Sequence, residues 1–335
     1  MGYLENILDV EIYFNVWTQT LFLPLERALE FYSEKFSPAR IQNIFVPLLG
    51  ALDINLSVAL NLFTSISHLL CDIIKWVYHE DRPYWYVRET DGQELNQHRL
   101  TCETTSGYPS KHVLSATGFL VIVGYFARKE LCKCLNYSDS KFFKALIWLA
   151  QVILVLMMGF CRMYFGCHFL HQCIAGGLLA MVVLYGIRYN HWKIYTIGKI
   201  VFVGSVVALA FFIIAVYYAM VIFDYDPHWP VRMAFKWCSS PEYLKHESTP
   251  IFSLCRDFGS ILGAALSAPL IKLTGKRYSR IFSIPFTICF LLLNILAENL
   301  IPKNHGRLAF LSYEVGRSTL FTFIQLTIMP RTCTE

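Results

Sequence analysis

Two pairs of basic or titratable residues with defined spacing stand out in this 335-residue chain. Lys75 and Arg82 are seven positions apart, or about two helical turns, so both cations can project from one face of a helix that Pro83 ends. Arg162 and His168 are six positions apart and lie between two long apolar runs. Taken singly, each pair is also typical of snorkelling cations or interfacial histidines at a membrane surface.

A further polar segment, Pro109-Ser110-Lys111-His112, opens another apolar run. A Pro-Ser pair before such a run predicts a helix that begins near Ser110. The free backbone N–H groups and the positive dipole of a helix start favour an anion there. The plainer alternative is an ordinary helix cap followed by an interfacial histidine.

The chain around these segments predicts a polytopic, all-α membrane protein. Hydrophobic residues make up 55% of the sequence and charged residues only 16%, against about 25% charged in soluble domains. We predict about nine transmembrane helices in a single membrane-embedded domain, 1–335, with an amphipathic lead-in at 1–37 and a tail at 330–335. The clear spans are 56–77, 112–128, 143–161, 168–188, 198–223 and 281–301, and the weaker ones are 38–54, 253–272 and 308–329.

The distribution of basic residues predicts the orientation of these spans. Lys and Arg concentrate near 128–144, 188–199 and 272–280, which the positive-inside rule assigns to the cytosol. The N-terminus is then non-cytosolic and the C-terminus cytosolic. All three polar segments emerge on the non-cytosolic face, and ionisable residues at one membrane depth are functional candidates. We therefore expect them to form one site.

The residues of this predicted site suit a phosphate ester. Lys75, Arg82 and Arg162 can surround three phosphate oxygens, with Ser110 and backbone N–H groups completing the cage. One imidazole would attack phosphorus and the other would protonate the leaving oxygen. We expect no metal or other cofactor, since the sequence contains no Gly-rich nucleotide loop and no acidic Mg²⁺ ligand set. A modest, scattered net charge of +5 argues against a nucleic-acid partner.

The spacing of these motifs resembles a known superfamily. Lys75-x₆-Arg82-Pro83, Pro109-Ser110-x-His112 and Arg162-x₅-His168 match the three-motif signature of the type 2 phosphatidic acid phosphatase (PAP2)/haloperoxidase superfamily. The surroundings are similar to its glucose-6-phosphatase branch. The segments that carry this similarity are Tyr84-Trp85, Cys102-Glu103-Thr104, Phe169-x-His171-Gln172, Lys236-Trp237-Cys238 and Arg256-Asp257-x-Gly259.

The resemblance implies a PAP2-like helical core and hydrolysis of glucose 6-phosphate, without a metal, in the lumen of the endoplasmic reticulum. It implies a phosphohistidine intermediate, with His168 as the nucleophile and His112 as the general acid. Lys75, Arg82 and Arg162 would hold the phosphate. Membrane lipids would surround the chain, and a glucose-6-phosphate transporter is a candidate partner.

Lys111 departs from the family, which usually has Gly at this position. Lysine keeps the backbone N–H for phosphate, and its ammonium could lie over the phosphate and tighten the binding of substrate and product alike. If the backbone needs a positive φ, a residue other than Gly costs about 1–2 kcal/mol. We expect an active enzyme with altered turnover, which Lys111→Gly would raise. The alternative is a catalytically impaired phosphosugar-binding membrane protein.

Residues beside the motifs leave a second enzyme class open. A lipid phosphate phosphatase shares the chemistry, but such enzymes often have Asp four residues after the nucleophile, where this chain has Gln172. Glu103 is expected either to bind sugar hydroxyls or to solvate its loop, and Arg256-Asp257 to form a structural ion pair. The eleven cysteines are not expected to form a disulfide framework, because most lie inside apolar runs.

Overall fold

A computed structural model of the protein describes residues 2–90, 95–134, 141–245, 248–273, 280–301 and 306–329. The predicted tail at 330–335 and parts of two of the basic loops, 135–140 and 274–279, lie outside these ranges. Within the described ranges the chain forms helices and turns, and the only β-type pairing is an isolated bridge between Glu103 and Lys245.

The helices of six or more residues are numbered in chain order. They are α1 (Gly2–Leu21), α2 (Glu26–Lys35), α3 (Ile54–Val77), α4 (Pro83–Glu89), α5 (Lys111–Cys134), α6 (Lys141–Tyr164), α7 (Leu170–Tyr189), α8 (His191–Thr196), α9 (Lys199–Ile222), α10 (Trp229–Trp237), α11 (Pro250–Leu266), α12 (Arg280–Asn299) and α13 (Arg307–Thr327). Shorter helical pieces occur at Leu23–Leu25, Pro38–Arg40, Ile41–Phe45, Val46–Gly50, Pro241–Tyr243 and Leu270–Lys272.

Five of the described helices are long and apolar enough to cross a membrane. They are α3, α6, α7, α9 and the part of α12 from Ile281 to Asn299. On α6 and α9 only 11% of the apolar stretch is buried inside the protein, and Trp148 and Phe211 are 65% and 69% exposed. Apolar helices with so much exposed surface suit a lipid environment, because all their backbone hydrogen bonds are internal.

The weaker predicted spans have different structures. The segment predicted at 38–54 is helical only from Pro38 to Gly50, with a π-helical turn in the middle, and so is too short to cross about 30 Å of hydrocarbon as one helix. In contrast, α13 covers most of 308–329 and pairs its charges internally, since Arg317 Nη2 lies 2.5 Å from Glu314 Oε1. The total of nine spans stays a prediction.

Helix α3 lies at the centre of the bundle and packs against α5, α7 and α11. Its start is capped by Asp53, whose Oδ1 accepts hydrogen bonds from the N–H groups of Asn55 and Leu56 at 2.7 and 2.9 Å. At its other end, Trp76 Nε1 donates to the carbonyl of Pro227, beyond α9, at 2.9 Å. The end of α3 therefore lies beside the end of α9, and we call this end of the bundle the site end.

The predicted N-terminal lead-in packs against the site end. Asn15 Nδ2 in α1 donates to the carbonyl of His168 at 3.4 Å. Gln19 Nε2 donates to the carbonyl of Tyr164 at 2.9 Å. Helix α1 thus supports the turn between α6 and α7, which carries one of the three polar segments.

Candidate active site

Lys75 and Arg82 come together, but not in the predicted way. Helix α3 ends at Val77, five residues before Arg82, which has extended backbone angles of φ −89° and ψ 153°. The prediction that both cations project from one helical face is therefore wrong. Pro83 disfavours helical angles at the residue before it and instead begins a new helix, α4.

The guanidinium group of Arg82 is completely buried and is held by backbone carbonyl groups. Its Nε donates to the carbonyl of Thr105 at 2.7 Å, and Nη1 donates to that of Cys167 at 2.9 Å. Nη1 also lies 3.4 Å from His168 Nε2. Lys75 is fixed in a similar way, because its ammonium donates to the carbonyl of Ser106 at 2.6 Å.

Gln172 orients the imidazole of His168. The side-chain Oε1 of Gln172 accepts from the N–H of Phe169 at 3.2 Å, while its Nε2 donates to the carbonyl of Asp81 at 2.9 Å. These two partners assign Oε1 as the amide oxygen, and it lies 3.2 Å from His168 Nδ1. An amide oxygen only accepts, so the proton is on Nδ1 and the lone pair of Nε2 faces Arg82.

His168 is held neutral by its surroundings. Burial lowers the pKa of its imidazole, and the nearby cations Arg82, Lys75 and Arg162 lower this pKa further, to well below its ordinary value. A neutral imidazole whose Nε2 carries no proton is the form that can act as a nucleophile.

Helix α5 begins at Lys111, directly after Ser110, as the sequence predicts. The N–H of Ser110 donates to the carbonyl of Gln172 at 3.0 Å, which joins the start of α5 to the start of α7. The close approach depends on Gly176, where an added Cβ would lie 2.4 Å from the carbonyl oxygen of Ser110. The segment that carries His112 is thus placed beside the His168 turn.

Glu103 occupies the space between the two buried arginines. Its Oε2 lies 2.9 Å from Arg82 Nη2, and its Oε1 accepts a hydrogen bond from Arg162 Nη2. The same Oε1 is 3.7 Å from His112 Nδ1. Burial would raise the pKa of the Glu103 carboxyl, but Arg162 and Arg82 hold it well below its ordinary value. Glu103 is therefore an ionised carboxylate inside the cluster, not a residue that solvates its loop.

A cavity of about 540 Å³ adjoins this cluster. It lies between the stretch from Ser33 to Arg40, the starts of α5 and α11, and the loop residues 242–245 and 248. The residues that line this cavity include the following charged or titratable ones near the two arginines and the start of α5: Lys75, Glu103, Lys111, His112, Arg162 and Lys245.

The ammonium of Lys111 does not point to the arginines. It donates to Asp257 Oδ2 at 2.7 Å, to Asp72 Oδ2 at 2.8 Å and to Ser253 Oγ at 2.8 Å. These bonds use all three of its N–H groups, so the expectation of an ammonium over the phosphate is wrong. Arg256 Nε, 3.2 Å from Asp257 Oδ1, joins the same network and forms the predicted structural ion pair.

The expected backbone strain at Lys111 is also absent. Among the described residues, the only one other than glycine with a positive φ is Asp224. Lys111 is the first residue of α5 and is not among the residues with a positive φ. The argument that a glycine would relieve strain there is therefore wrong, and the backbone N–H remains the group of Lys111 that can face a phosphate.

An unexpected disulfide fixes the Glu103 segment. Cys102 and Cys238 are bonded although they are 136 positions apart. Both lie in loops at the site end, the end for which the charge distribution predicts a non-cytosolic location, and disulfides persist outside the cytosol. Three cysteines lie outside the apolar runs on this predicted side, Cys102, Cys167 and Cys238, so the sequence alone leaves the pairing open.

The all-α fold and the three converging motifs define a class of membrane phosphatase. Residues 50–196 match the PAP2 superfamily. No solved structure matches it significantly.

Named relatives define the branch more closely. Glucose-6-phosphatase catalytic subunit 1 of Haplochromis nubilus is 30% identical over 276 residues, which cover 77% of this chain and 76% of that protein. The same subunit of Haplochromis xenognathus is 30% identical over 268 residues, which cover 75% of this chain and 94% of that protein. Human glucose-6-phosphatase 2 is 25% identical over 319 residues, which cover 91% of this chain and 87% of that protein. The chain belongs to the glucose-6-phosphatase family.

Proposed function

We propose that this protein hydrolyses glucose 6-phosphate to glucose and inorganic phosphate. The observation that carries the proposal is the orientation of His168, whose Nδ1 is held at 3.2 Å by Gln172 while Nε2 lies 3.4 Å from Arg82 Nη1. A neutral nucleophile thus lies against a cation that can hold the phosphoryl group it attacks. The names of the relatives support glucose 6-phosphate as the substrate.

In the proposed reaction the phosphate lies between Arg82 and Arg162, with Lys75 and the N–H groups at the start of α5 completing the cage. The lone pair of His168 Nε2 attacks phosphorus, and the bond from phosphorus to the sugar oxygen breaks. Burial and the neighbouring Arg162 lower the pKa of His112 well below its ordinary value, so in this proposal His112 carries its proton only beside the bound phosphate dianion. It gives that proton to the sugar oxygen, which leaves as the glucose hydroxyl. Water then attacks the phosphohistidine and gives a proton to His112, so inorganic phosphate is released and both histidines are restored.

The proposed location is the endoplasmic reticulum membrane, with the site end in the lumen, the N-terminus luminal and the C-terminus cytosolic. The disulfide between Cys102 and Cys238 at the site end supports an oxidising compartment. The basic loops at the opposite ends of the helices support the same orientation. A luminal phosphatase of this kind would serve gluconeogenesis and would receive its substrate through a glucose-6-phosphate transporter.

The possibility of a catalytically impaired phosphosugar-binding protein rests on Lys111. Because its ammonium binds Asp72 and Asp257, its side chain neither blocks nor tightens the proposed phosphate position. This leaves a lipid phosphate phosphatase as the alternative to be tested.

The test is a phosphatase assay of the full chain in permeabilised microsomes, with glucose 6-phosphate and phosphatidate as substrates. Wild type should prefer glucose 6-phosphate and be inhibited by vanadate, which mimics the transition state. His168→Ala should lower kcat by at least about 10³-fold and abolish acid-labile phosphate labelling. His191→Ala, far from the site motifs, serves as the control and should stay within about twofold. Preference for phosphatidate, or labelling that persists in His168→Ala, would refute the proposal.

A further inference from the structure

We propose that Glu103 is an internal competitor for the phosphate position, which it leaves toward Lys245 when a phosphate ester or inorganic phosphate binds. This inference rests on the proposed function, because it takes Arg82 and Arg162 as the phosphate ligands. It adds a role for a carboxylate in a cage that the sequence motifs describe by its cations and histidines.

The first argument is the position of the Glu103 carboxylate. It bridges Arg82 Nη2 and Arg162 Nη2, and its Oε1 lies 3.7 Å from His112 Nδ1. The other guanidinium bonds of Arg82 go to His168 Nε2, to the Thr105 side chain and to backbone carbonyl groups, which hold the group in place. An anion that binds both arginines and faces His112 must therefore take the position of the carboxylate.

The second argument is the route from the cavity. Glu103, His112 and Arg162 line the 540 Å³ cavity, whereas Arg82 and His168 are not among its described lining residues. Both are buried, with 0% and 1% of their surfaces exposed. Glu103 thus stands between the cavity and Arg82, against which the attacking nitrogen lies. A phosphate entering from the cavity reaches that nitrogen only after the carboxylate has moved.

The third argument is that a second cation is available to the displaced carboxylate. Lys245 Nζ lies 4.0 Å from Glu103 Oε1, lines the same cavity and has a side chain that is 32% exposed. Its strongest other contact is a hydrogen bond to the carbonyl of Leu100 at 3.3 Å. A small rotation of the Glu103 side chain can therefore exchange two buried arginines for one half-buried lysine.

The backbone around Glu103 restricts this movement to the side chain. The N–H of Lys245 donates to the carbonyl of Cys102 at 3.1 Å, and the N–H of Thr104 donates to Ser248 Oγ at 3.1 Å. The disulfide from Cys102 to Cys238 adds a covalent link to the same region. With its neighbours fixed on both sides, the carboxylate returns to the arginines as soon as the anion leaves.

The consequence concerns the release of product. Three buried cations would hold inorganic phosphate tightly, and tight binding of substrate and product alike does not raise turnover. A carboxylate that competes for the same guanidinium groups weakens both and favours the departure of phosphate, because like charges repel at a shared position.

Binding of inorganic phosphate to the full chain in detergent tests this, with His168→Ala as the background so that no turnover is needed. Adding Glu103→Gln should lower the Kd for phosphate at least about fivefold. Glu103→Asp, which keeps the charge but withdraws it by one methylene, should lower it less. Glu242→Gln, another carboxylate lining the cavity, is the matched control and should stay within about twofold. A higher or unchanged Kd in Glu103→Gln means that Glu103 orients the arginines instead, and overturns the proposal.

A double-mutant cycle tests the exchange with Lys245. Lys245→Met should weaken phosphate binding when Glu103 is present and have little effect in the Glu103→Gln background. Equal weakening in both backgrounds would show that Lys245 binds phosphate directly, and would refute the exchange. Because binding is measured without catalysis, these outcomes are distinct from a failure of the proposed activity, in which phosphate binds and no ester is hydrolysed.

Discussion

The ammonium of Lys111 lies 2.7 Å from the carboxylate of Asp257, and this pair joins the helix of His112 to α11. Asp72, 2.8 Å from the same ammonium, extends the link to α3, about one turn before Lys75. The site helices are thus connected by a charge network next to the proposed phosphate cage. In a membrane bundle such a network is stable only when its charges are paired. Lys111 is accordingly a positioning residue.

The first prediction follows from this network. Lys111→Gly should lower the free energy of unfolding by about 3–5 kcal/mol, because Asp72 and Asp257 lose their shared cation while remaining buried. It should also lower turnover, in contrast to the sequence-based expectation that glycine raises it. Thermal unfolding in detergent and a glucose 6-phosphate assay measure the two effects.

Two companion variants make the Lys111 result specific. Lys236→Met removes a lysine that is also 2.8 Å from a carboxylate, that of Glu89, but this pair is largely exposed and should change stability by less than about 1 kcal/mol. Adding Asp72→Asn to Lys111→Gly should restore part of the lost stability, because Asp257 keeps Arg256 as its partner whereas Asp72 would otherwise stay buried and charged. Higher turnover in Lys111→Gly with unchanged stability would contradict the positioning role.

The second prediction concerns the contact between α7 and the start of α5. Gly176→Ala would place a Cβ 2.4 Å from the carbonyl oxygen of Ser110, so the helices must separate, at a cost of about 1–3 kcal/mol. Because His112 follows Ser110 closely, kcat/KM should fall at least about tenfold. Gly186→Ala in the same helix meets nothing within 4 Å and should be neutral or stabilising by up to about 1 kcal/mol. Similar effects of the two substitutions would refute the close-approach argument.

The third prediction is a pH dependence of stability that originates from His168. Its folded-state pKa is well below the unfolded value of about 6.5, so below pH 6.5 the unfolded chain binds the extra proton. Stability should therefore fall with decreasing pH in this window, by up to about 1.4 kcal/mol per pH unit. His168→Gln lacks this contribution and should lose less stability between pH 7.5 and 5.5. Parallel unfolding curves for the two proteins over that range would contradict the buried neutral imidazole.

Much of the candidate site can be predicted from short stretches of the sequence. The spacing of Arg162 and His168, and of Ser110 and His112, lies within single turns or helix starts, where a few residues determine the geometry. The long apolar runs likewise predict the helices that contain or flank these motifs, because hydropathy over about twenty residues is a local property. The motif order is enough to indicate the PAP2 superfamily, which the comparisons with known proteins then show.

The wrong expectations mostly concern partners that are distant in sequence. Lys111 and Asp257 are 146 positions apart, and Cys102 and Cys238 are 136 apart. A charged side chain beside a proposed phosphate cage has two favourable directions, toward the anion or toward a buried carboxylate, and the choice depends on which helices pack against it. The break between α3 and Arg82 is the exception, because Pro83 is a local signal that fits the start of a new helix as well as the end of one.

The sequence by itself determined which residues are proposed to hold the phosphate, that they lie at or near the ends of helices and which family the chain resembles. Only the tertiary structure decided what each charge faces: Glu103 between the two arginines, Lys111 among the aspartates and His168 with its Nδ1 on Gln172. The physical reason is that burial requires every charge to find a partner, and the available partners are set by the packing of the whole bundle.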